Sequence, residues 1–284
     1  MQTRIATPAD AETCGRIMFE AFNEIASRHG FPADFPTPDA ATDLASALIA
    51  DPAVYGFVAE VDGKVSGSNF LSEADAIKAV GPISVDPAMQ GRGIGRTLMQ
   101  TVCDKADGST GIRLLQDGFN MGSLALYASL GFEVQEPVVV MTGSPFGTAS
   151  KVMTVRPMVD GDVELCDELC KRILGVSRRC EIEKAVSSLS PLVAERSSKI
   201  VGYMTAPSLW LANHGVAHSA SDMHAMILGA ADLNPNVSFL LPTRQPALFR
   251  WCLDHGMKAA KPMTIMAKGN YRRPTRPYMP SVFY

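Results

Sequence analysis

The densest chemical signal in this 284-residue chain is a run of seven residues, Gln90-Gly91-Arg92-Gly93-Ile94-Gly95-Arg96. Glycines at 91, 93 and 95 can adopt positive φ and let a ligand approach the backbone closely. Ile94, Leu98, Val102 and Ala106 then recur at i, i+4 spacing, so the glycines open a helix. The first N–H groups of a helix have no internal partner, and its dipole favours an anion there. Arg92 and Arg96 add positive charge. The parts together describe a cradle for a pyrophosphate.

Spacing separates the families that build such cradles. A Walker loop needs Gly-Lys-Ser/Thr, which is absent. A dinucleotide fingerprint needs a third Gly or Ala where Arg96 stands, and its turn follows the strand directly. Here several residues intervene, although Asp117 stands about where a ribose-binding acid would, so that reading is weakened and stays open. Gln90, Gly93 and Gly95, preceded by a strand ending Val85-Asp86-Pro87, match a third pattern, Gln/Arg-x-x-Gly-x-Gly/Ala. This resembles the acyl-CoA pyrophosphate loop of the GCN5-related N-acetyltransferases (GNAT). Downstream, the stretch from Asn120 to Phe132, with Tyr127 and Gly131-Phe132, is similar to that family's Asn-x-x-Ala-x-x-x-Tyr-x-x-x-Gly-Phe helix. On local grounds alone Asn120 suits an N-cap and Gly131 a helix stop.

The resemblance implies an acetyl-CoA-dependent N-acetyltransferase in which a primary amine, on a small molecule or an amino terminus, attacks the thioester within a ternary complex. It implies that the backbone of Ile83, Ser84 and Val85 pairs with the pantetheine arm. One N–H of that strand would polarise the thioester carbonyl. Gln90, Gly91, Arg92, Gly93, Ile94, Gly95 and Arg96 would hold the pyrophosphate. Asn120 would contact the cofactor, and Tyr127 would protonate the departing thiolate. Taken by itself, Tyr127 is equally a packing residue on an amphipathic helix. Many relatives carry a general base on the strand before the loop, but residues 77–85 hold no carboxylate. Glu73 and Asp75, in the preceding turn, are candidates, as are a water chain and a carboxylate from the second half. Two alternatives stay open: transfer of a longer acyl group or to another acceptor, and a non-catalytic acyl-CoA-binding sensor.

The elements that must position these residues are legible from periodicity. An extended start at residues 2–6 is followed by a helix over 10–29, a proline-containing loop over 30–38 and a helix over 39–50. Strands are predicted at 54–61 and 64–72, joined by Asp62-Gly63 as a hairpin turn, and at 77–85. A helix over 95–107, a strand over 111–116, a helix over 120–130 and a strand over 133–142 complete a mixed α/β (α+β) unit. The acceptor would be read by loops such as 30–38.

Residues 143–150 are small, polar and broken by Pro and Gly, and are predicted as a linker. Beyond them the order restarts. Thr154-Val155-Arg156-Pro157 echoes Arg4-Ile5-Ala6-Thr7-Pro8, Lys199-Ile200-Val201-Gly202 echoes Lys64-Val65-Ser66-Gly67, and His255-Gly256-Met257 echoes Leu130-Gly131-Phe132. Two copies of one fold are expected, each a mixed, mostly antiparallel sheet flanked by helices: 1–143 as the acyl-CoA-binding domain and 151–284 as a degenerate copy. In the copy, Ser221–Met226 takes the place of the glycine loop with no glycine or basic residue, and Cys252 falls near the place of Tyr127. The carboxyl-terminal segment has Pro at 274, 277 and 280, which favours an extended polyproline-like strand; its aromatic residues suit a strand lying across a groove near the acceptor site, and a frayed terminus is the alternative.

Composition bounds the rest. With 26 Lys+Arg against 29 Asp+Glu the net charge is −3, which offers no footprint for nucleic acid or an anionic membrane. The apolar runs fall short of the roughly 20 residues of a membrane span, and the start lacks the apolar core of a signal peptide. Six scattered cysteines lack zinc-site spacing, so no metal is expected and a reducing, cytoplasmic setting is. The expected partners are acetyl-CoA and a small amine. The sequence does not set the oligomeric state.

Overall fold

The computed structural model describes residues 1–147 and 153–283. Of the segment read as a linker, 148–150 lie outside the described residues, as do 151, 152 and 284. The chain forms β1 (Gln2–Ile5), α1 (Ala11–Arg28), α2 (Pro38–Ala50), β2 (Val54–Val61), β3 (Lys64–Ser72), β4 (Lys78–Val80), β5 (Ser84–Val85), α3 (Ile94–Lys105), β6 (Gly111–Asp117), α4 (Met121–Ser129) and β7 (Glu133–Gly143). It continues with β8 (Met153–Pro157), α5 (Val163–Leu174), α6 (Arg179–Ser188), β9 (Leu192–Arg196), β10 (Lys199–Met204), β11 (Gly215–Ala217), α7 (Ala220–Leu233), β12 (Val237–Pro242), α8 (Pro246–Asp254), β13 (Met257–Gly269) and β14 (Tyr278–Met279). The result is a mixed α/β fold of mostly antiparallel sheets with eight α-helices among the described residues. No described helix is long and apolar enough to cross a membrane.

Two compact units result. The first holds Met1–Val134 and Met266–Gly269, with strands ordered β1-β2-β3-β4-β6 and then the 266–269 end of β13. Its pairs are antiparallel along β1-β2-β3-β4, while β4 and β6 run parallel through Lys78↔Ile112, Ala79↔Arg113 and Val80↔Leu114. On one face Phe57, Ala59, Leu71, Val80, Ile112 and Leu114 pack against Ile94, Leu98, Met99 and Val102 of α3 and Tyr127 of α4. These positions alternate along the strands and recur every turn or so along the helices, which is why the sequence folds there. The strand predicted over 77–85 is two strands. It breaks at Gly81 (φ 127°) and Pro82, because proline has no N–H to continue a ladder.

The second unit holds Gln135–Ile265 and Asn270–Tyr284. One of its sheets has β7 between β13 and β12, and the other runs β14-β11-β10-β9-β8. Its element order, from β8 through β13, repeats that of the first unit from β1 through β7, except that the single strand β11 stands where the first unit has β4 and β5. The repetition extends to the atoms. Arg4 donates to Asp10 at 2.8 Å and to Glu60 at 2.8 Å, and Arg156 donates to Asp162 at 2.7 Å and to Glu195 at 2.6 Å. The backbone N–H of Thr7 donates to Asp10, as that of Val159 does to Asp162. A bulge shifts the hairpin register between Ala59↔Gly67 and Glu60↔Val65, and the same shift lies between Ala194↔Gly202 and Glu195↔Ile200. The short repeats read from sequence therefore mark two GNAT-like folds built on one plan.

The Arg4 guanidinium pulls the Asp10 carboxyl well below its ordinary range, and Arg156 does the same to Asp162. A carboxylate whose folded pKa is depressed contributes stability above its unfolded value near 3.9, and that stability is lost as pH falls through the folded value. Asp10→Asn or Asp162→Asn is therefore expected to cost about 1–3 kcal/mol at pH 7. In urea unfolding at stepped pH, the gap between variant and parent should narrow steadily from pH 5 to pH 2. A gap independent of pH would contradict the pairing.

Candidate active site

The divergence of β5 from β6 shapes the site. β4 lies beside β6, but β5 pairs with β3 alone, through Gly67↔Val85 and Ser68↔Ser84. Among the described residues no strand covers the edge of Ile83–Val85 that would face β6, so the backbone groups on that side, apart from the Val85 carbonyl that accepts from Gln90, are open to a ligand. Gly67 permits this arrangement, because a Cβ there would stand 2.7 Å from the Ser84 carbonyl oxygen. Ser84 is buried, with its Oγ 3.3 Å from Ser68 Oγ, so β5 is anchored from beneath.

Asp86 then turns the chain, accepting from the Ala88 N–H at 3.0 Å. Gln90 is exposed and donates through Nε2 to the Val85 carbonyl at 3.3 Å. Gly91 and Gly93 take φ of 77° and 82°, with nothing within 4 Å of where a Cβ would lie. Their glycine identity answers to backbone conformation and open space, which is how a ligand-facing loop looks. The Thr97 N–H donates to the Gly93 carbonyl at 3.0 Å as α3 begins, so the N–H groups of Ile94, Gly95 and Arg96 lie ahead of intrahelical bonding. Arg92 is exposed. Arg96 donates to Ser129 Oγ at 2.8 Å, which ties the start of α3 to the end of α4. The Leu126 side chain lies 3.5 Å from the Cβ position of Gly95, an ordinary contact.

Asn120 caps α4, its Oδ1 accepting from the Ser123 N–H at 3.1 Å. Seven residues on, Tyr127 is 5% exposed and packs edge-on against Phe132 with ring centroids 6.3 Å apart. Burial pushes its phenol up to about 12, against a hydrogen bond with Ser123 that lowers it, and Asp117 adds to the rise. Tyr127 is therefore both the packing residue and the protonated phenol that the two sequence readings set apart. It stays a hydrogen-bond donor at neutral pH. Glu73 and Asp75 lie half-buried in the turn between β3 and β4.

Two further residues escaped sequence reasoning as site residues. Gln116, near the carboxyl end of β6, is 5% exposed, and among the described residues neither its Oε1 nor its Nε2 has a hydrogen-bond partner. It alternates onto the same face as Ile112 and Leu114, the face of α3 and α4. A buried amide with both ends unmet is costly unless a ligand meets it. Phe119 stacks on Phe31 at 4.4 Å and lies tilted against His29 with centroids 5.2 Å apart, pinning the loop after α1 beside the start of α4. Buried cysteines contribute no nucleophile. Burial pushes Cys166, Cys170 and Cys252 up to about 12. Among the described residues no cluster of His, Cys, Asp or Glu could hold a metal ion.

Comparisons with known proteins agree with this geometry. A family model described as the acetyltransferase (GNAT) family matches residues 18–132. Phosphinothricin N-acetyltransferase of Alcaligenes faecalis is 30% identical over 141 residues, covering 46% of this chain and 71% of the relative. A putative acetyltransferase from Pyrococcus horikoshii superposes with a TM-score of 0.73 at 18% identity, over 97% of this chain and 91% of its own. A tandem GNAT protein from the clavulanic acid biosynthesis pathway superposes with a TM-score of 0.59 at 14% identity, over 94% and 97%. Both structures share the fold across both halves.

The unmet Gln116 amide carries a stability consequence. Gln116→Leu removes a buried unpaired polar group while nearly keeping its volume, so it is expected to stabilise the protein by about 1–2 kcal/mol in the absence of ligand. Thermal unfolding checks this, and a lower melting temperature would show that the amide is already satisfied.

Proposed function

The chain belongs to the GNAT acetyltransferase family, and on that premise we propose that its first unit moves the acetyl group of acetyl-CoA onto a primary amine. The acceptor amine belongs to a small molecule or an amino terminus, and it attacks the thioester directly in a ternary complex. The observation that carries this reading is the open edge of Ile83–Val85 running into the glycine loop at the start of α3. An extended ligand arm on that edge would end with its pyrophosphate at Gln90–Arg96, where free N–H groups, the helix dipole and two arginines meet it. The orphaned Gln116 amide fits the same occupant, since a pantetheine arm offers amide groups to pair with it.

In this account the neutral amine nitrogen forms a bond to the thioester carbon, the carbon–sulfur bond breaks, and the proton lost from nitrogen passes to water. An N–H of Ile83–Val85 stabilises the carbonyl oxygen as charge develops on it. Tyr127, a phenol protonated at neutral pH, donates a proton to the departing thiolate and regains one from water. Asn120 holds the start of α4 in place and contacts the cofactor. The loop pinned by Phe31 and Phe119 reads the acceptor. A relative named for N-acetylation of phosphinothricin supports transfer to nitrogen. Six free thiols support a reducing, cytoplasmic setting.

The second half is read as a degenerate copy without a cofactor site. Only His218 and Ser219 separate β11 from α7, where residues 86–93 separate β5 from α3. Ser221–Met226, assigned from sequence to a loop, lies within α7. Cys252 occupies the seventh position of α8, as Tyr127 does of α4, and is buried.

A panel of primary amines with acetyl-CoA, followed by release of free thiol, tests the activity. Turnover with at least one amine is expected. Acetyl-CoA binding without turnover across the panel would favour the sensor reading. Tyr127→Phe is expected to lower kcat by about a hundredfold or more while leaving acetyl-CoA affinity within twofold. Unchanged kcat would remove Tyr127 from the chemistry.

A further inference from the structure

The paired bulges put the two units in register residue by residue. Gly67 and Gly202 occupy the same place, each opposite an alanine just past the shift. Gly67 pairs with Val85 and Gly202 pairs with Ala217. Gly215, Val216 and Ala217 in the second unit therefore correspond to Ile83, Ser84 and Val85 in the first. Gln245 likewise corresponds to Asn120, as the N-cap residue of the helix that follows the next strand.

In the second unit the corresponding edge is filled. β14 runs antiparallel to β11 through Val216↔Tyr278 and Gly215↔Met279, and the Ala217 N–H donates to the Pro277 carbonyl at 3.0 Å. On its other side β14 packs against β12. Gln245 grips the inserted backbone at both ends of its amide: Nε2 donates to the Tyr278 carbonyl at 2.8 Å, and Oε1 accepts from the Tyr278 N–H at 3.2 Å. The Val282 N–H donates to the Leu211 carbonyl at 2.9 Å, and Arg244 donates to the Pro274 carbonyl at 3.0 Å. Tyr278 is 1% exposed and joins Tyr203 and Val216, while Met279 joins Phe239 and Leu241 on the opposite face. Ser281, also buried, donates to Glu181 at 2.6 Å. A frayed terminus has none of these features.

We propose that the edge Gly215–Ala217 of the second unit is a peptide-binding slot whose resident occupant is the chain's own segment 274–283, lying where the first unit takes the arm of acyl-CoA. The docking is strand addition to an exposed sheet edge, with main-chain bonds giving affinity and the Tyr278 and Met279 pockets giving selectivity. That the first unit's edge takes acyl-CoA rests on the function proposed above; the peptide slot does not. The ligand class is an extended peptide bearing a buried aromatic followed by a linear apolar side chain. The arrangement explains how a copy can lose its glycine loop and still fold, because the tail satisfies the backbone groups that a cofactor would otherwise meet.

Two experiments on the full chain test this. Thermolysin, which cuts ahead of bulky apolar residues, is expected to cleave within 277–283 of the unmodified protein at least about a hundredfold more slowly than in the free synthetic peptide 274–284. Equal rates would overturn the proposal. With a specific protease site inserted after Arg273, the nicked segment is expected to stay bound through gel filtration. Excess synthetic 274–284 should displace it, whereas the same peptide with Tyr278→Ser and Met279→Ser should not. Immediate loss of the nicked segment, or displacement by the altered peptide, would refute the slot. Calorimetry separates this claim from the proposed function. One acetyl-CoA per chain agrees with both, and two would refute the occupied slot. None, with the tail still protected, would refute only the acetyl-CoA reading.

Discussion

The structure turns on a parting of strands. Backbone polar groups at the centre of a sheet must be paired, and three residues at the end of a strand leave their neighbour in each unit. In the first unit β5 stays with β3 and departs from β6 after Val80. In the second, β11 stays with β10 and meets β14 on its other side. Everything that distinguishes the units follows from what satisfies that edge. Where no strand covers it among the described residues, the edge runs into a glycine loop and a helix N-terminus. Where the chain fills it, the loop shortens to two residues and the corresponding tyrosine becomes a buried cysteine.

The duplicated Arg–Asp–Glu clusters show which features the common plan retains. Arg4 and Arg156 each bridge the start of a unit to its hairpin, and each pair of carboxylates is held by the same donors. These contacts fix how the first strand, the first helix and the hairpin meet, and they are independent of what lies at the parting of strands. The scaffold is thus the same in both units, while the chain at the parting of strands differs.

Legibility in the sequence follows the same division. The glycine loop could be read because positive φ leaves a trace in residue type, as Gly91 and Gly93 do. The duplication could be read because the bulged hairpin needs a glycine at a fixed offset, giving Lys64–Gly67 and Lys199–Gly202. The parting of strands could not, since 77–85 is apolar throughout and resembles one strand until Pro82 is placed. Gln116 was invisible because nothing in a sequence tells a buried unpaired amide from a surface one. The proline spacing of the tail points to a polyproline-like strand and gives no sign of the pairing of Tyr278–Met279 with β11. In the fold, the Pro277 carbonyl accepts from the Ala217 N–H in the ladder, while the Tyr278 N–H, on the other side of the strand, donates to Gln245, so the spacing of the prolines leaves these bonds intact.

The central claim is that one parting of strands is a ligand site and the other is closed by the chain itself. Amide hydrogen exchange on the full protein, with and without saturating acetyl-CoA, tests it directly. The account expects acetyl-CoA to slow exchange at Ser84, Val85 and the first turn of α3, Ile94–Arg96, while Val216 and Ala217, already slow, do not change. Protection that appears at Val216 and Ala217, or none at Ser84–Val85 with acetyl-CoA bound, would contradict it.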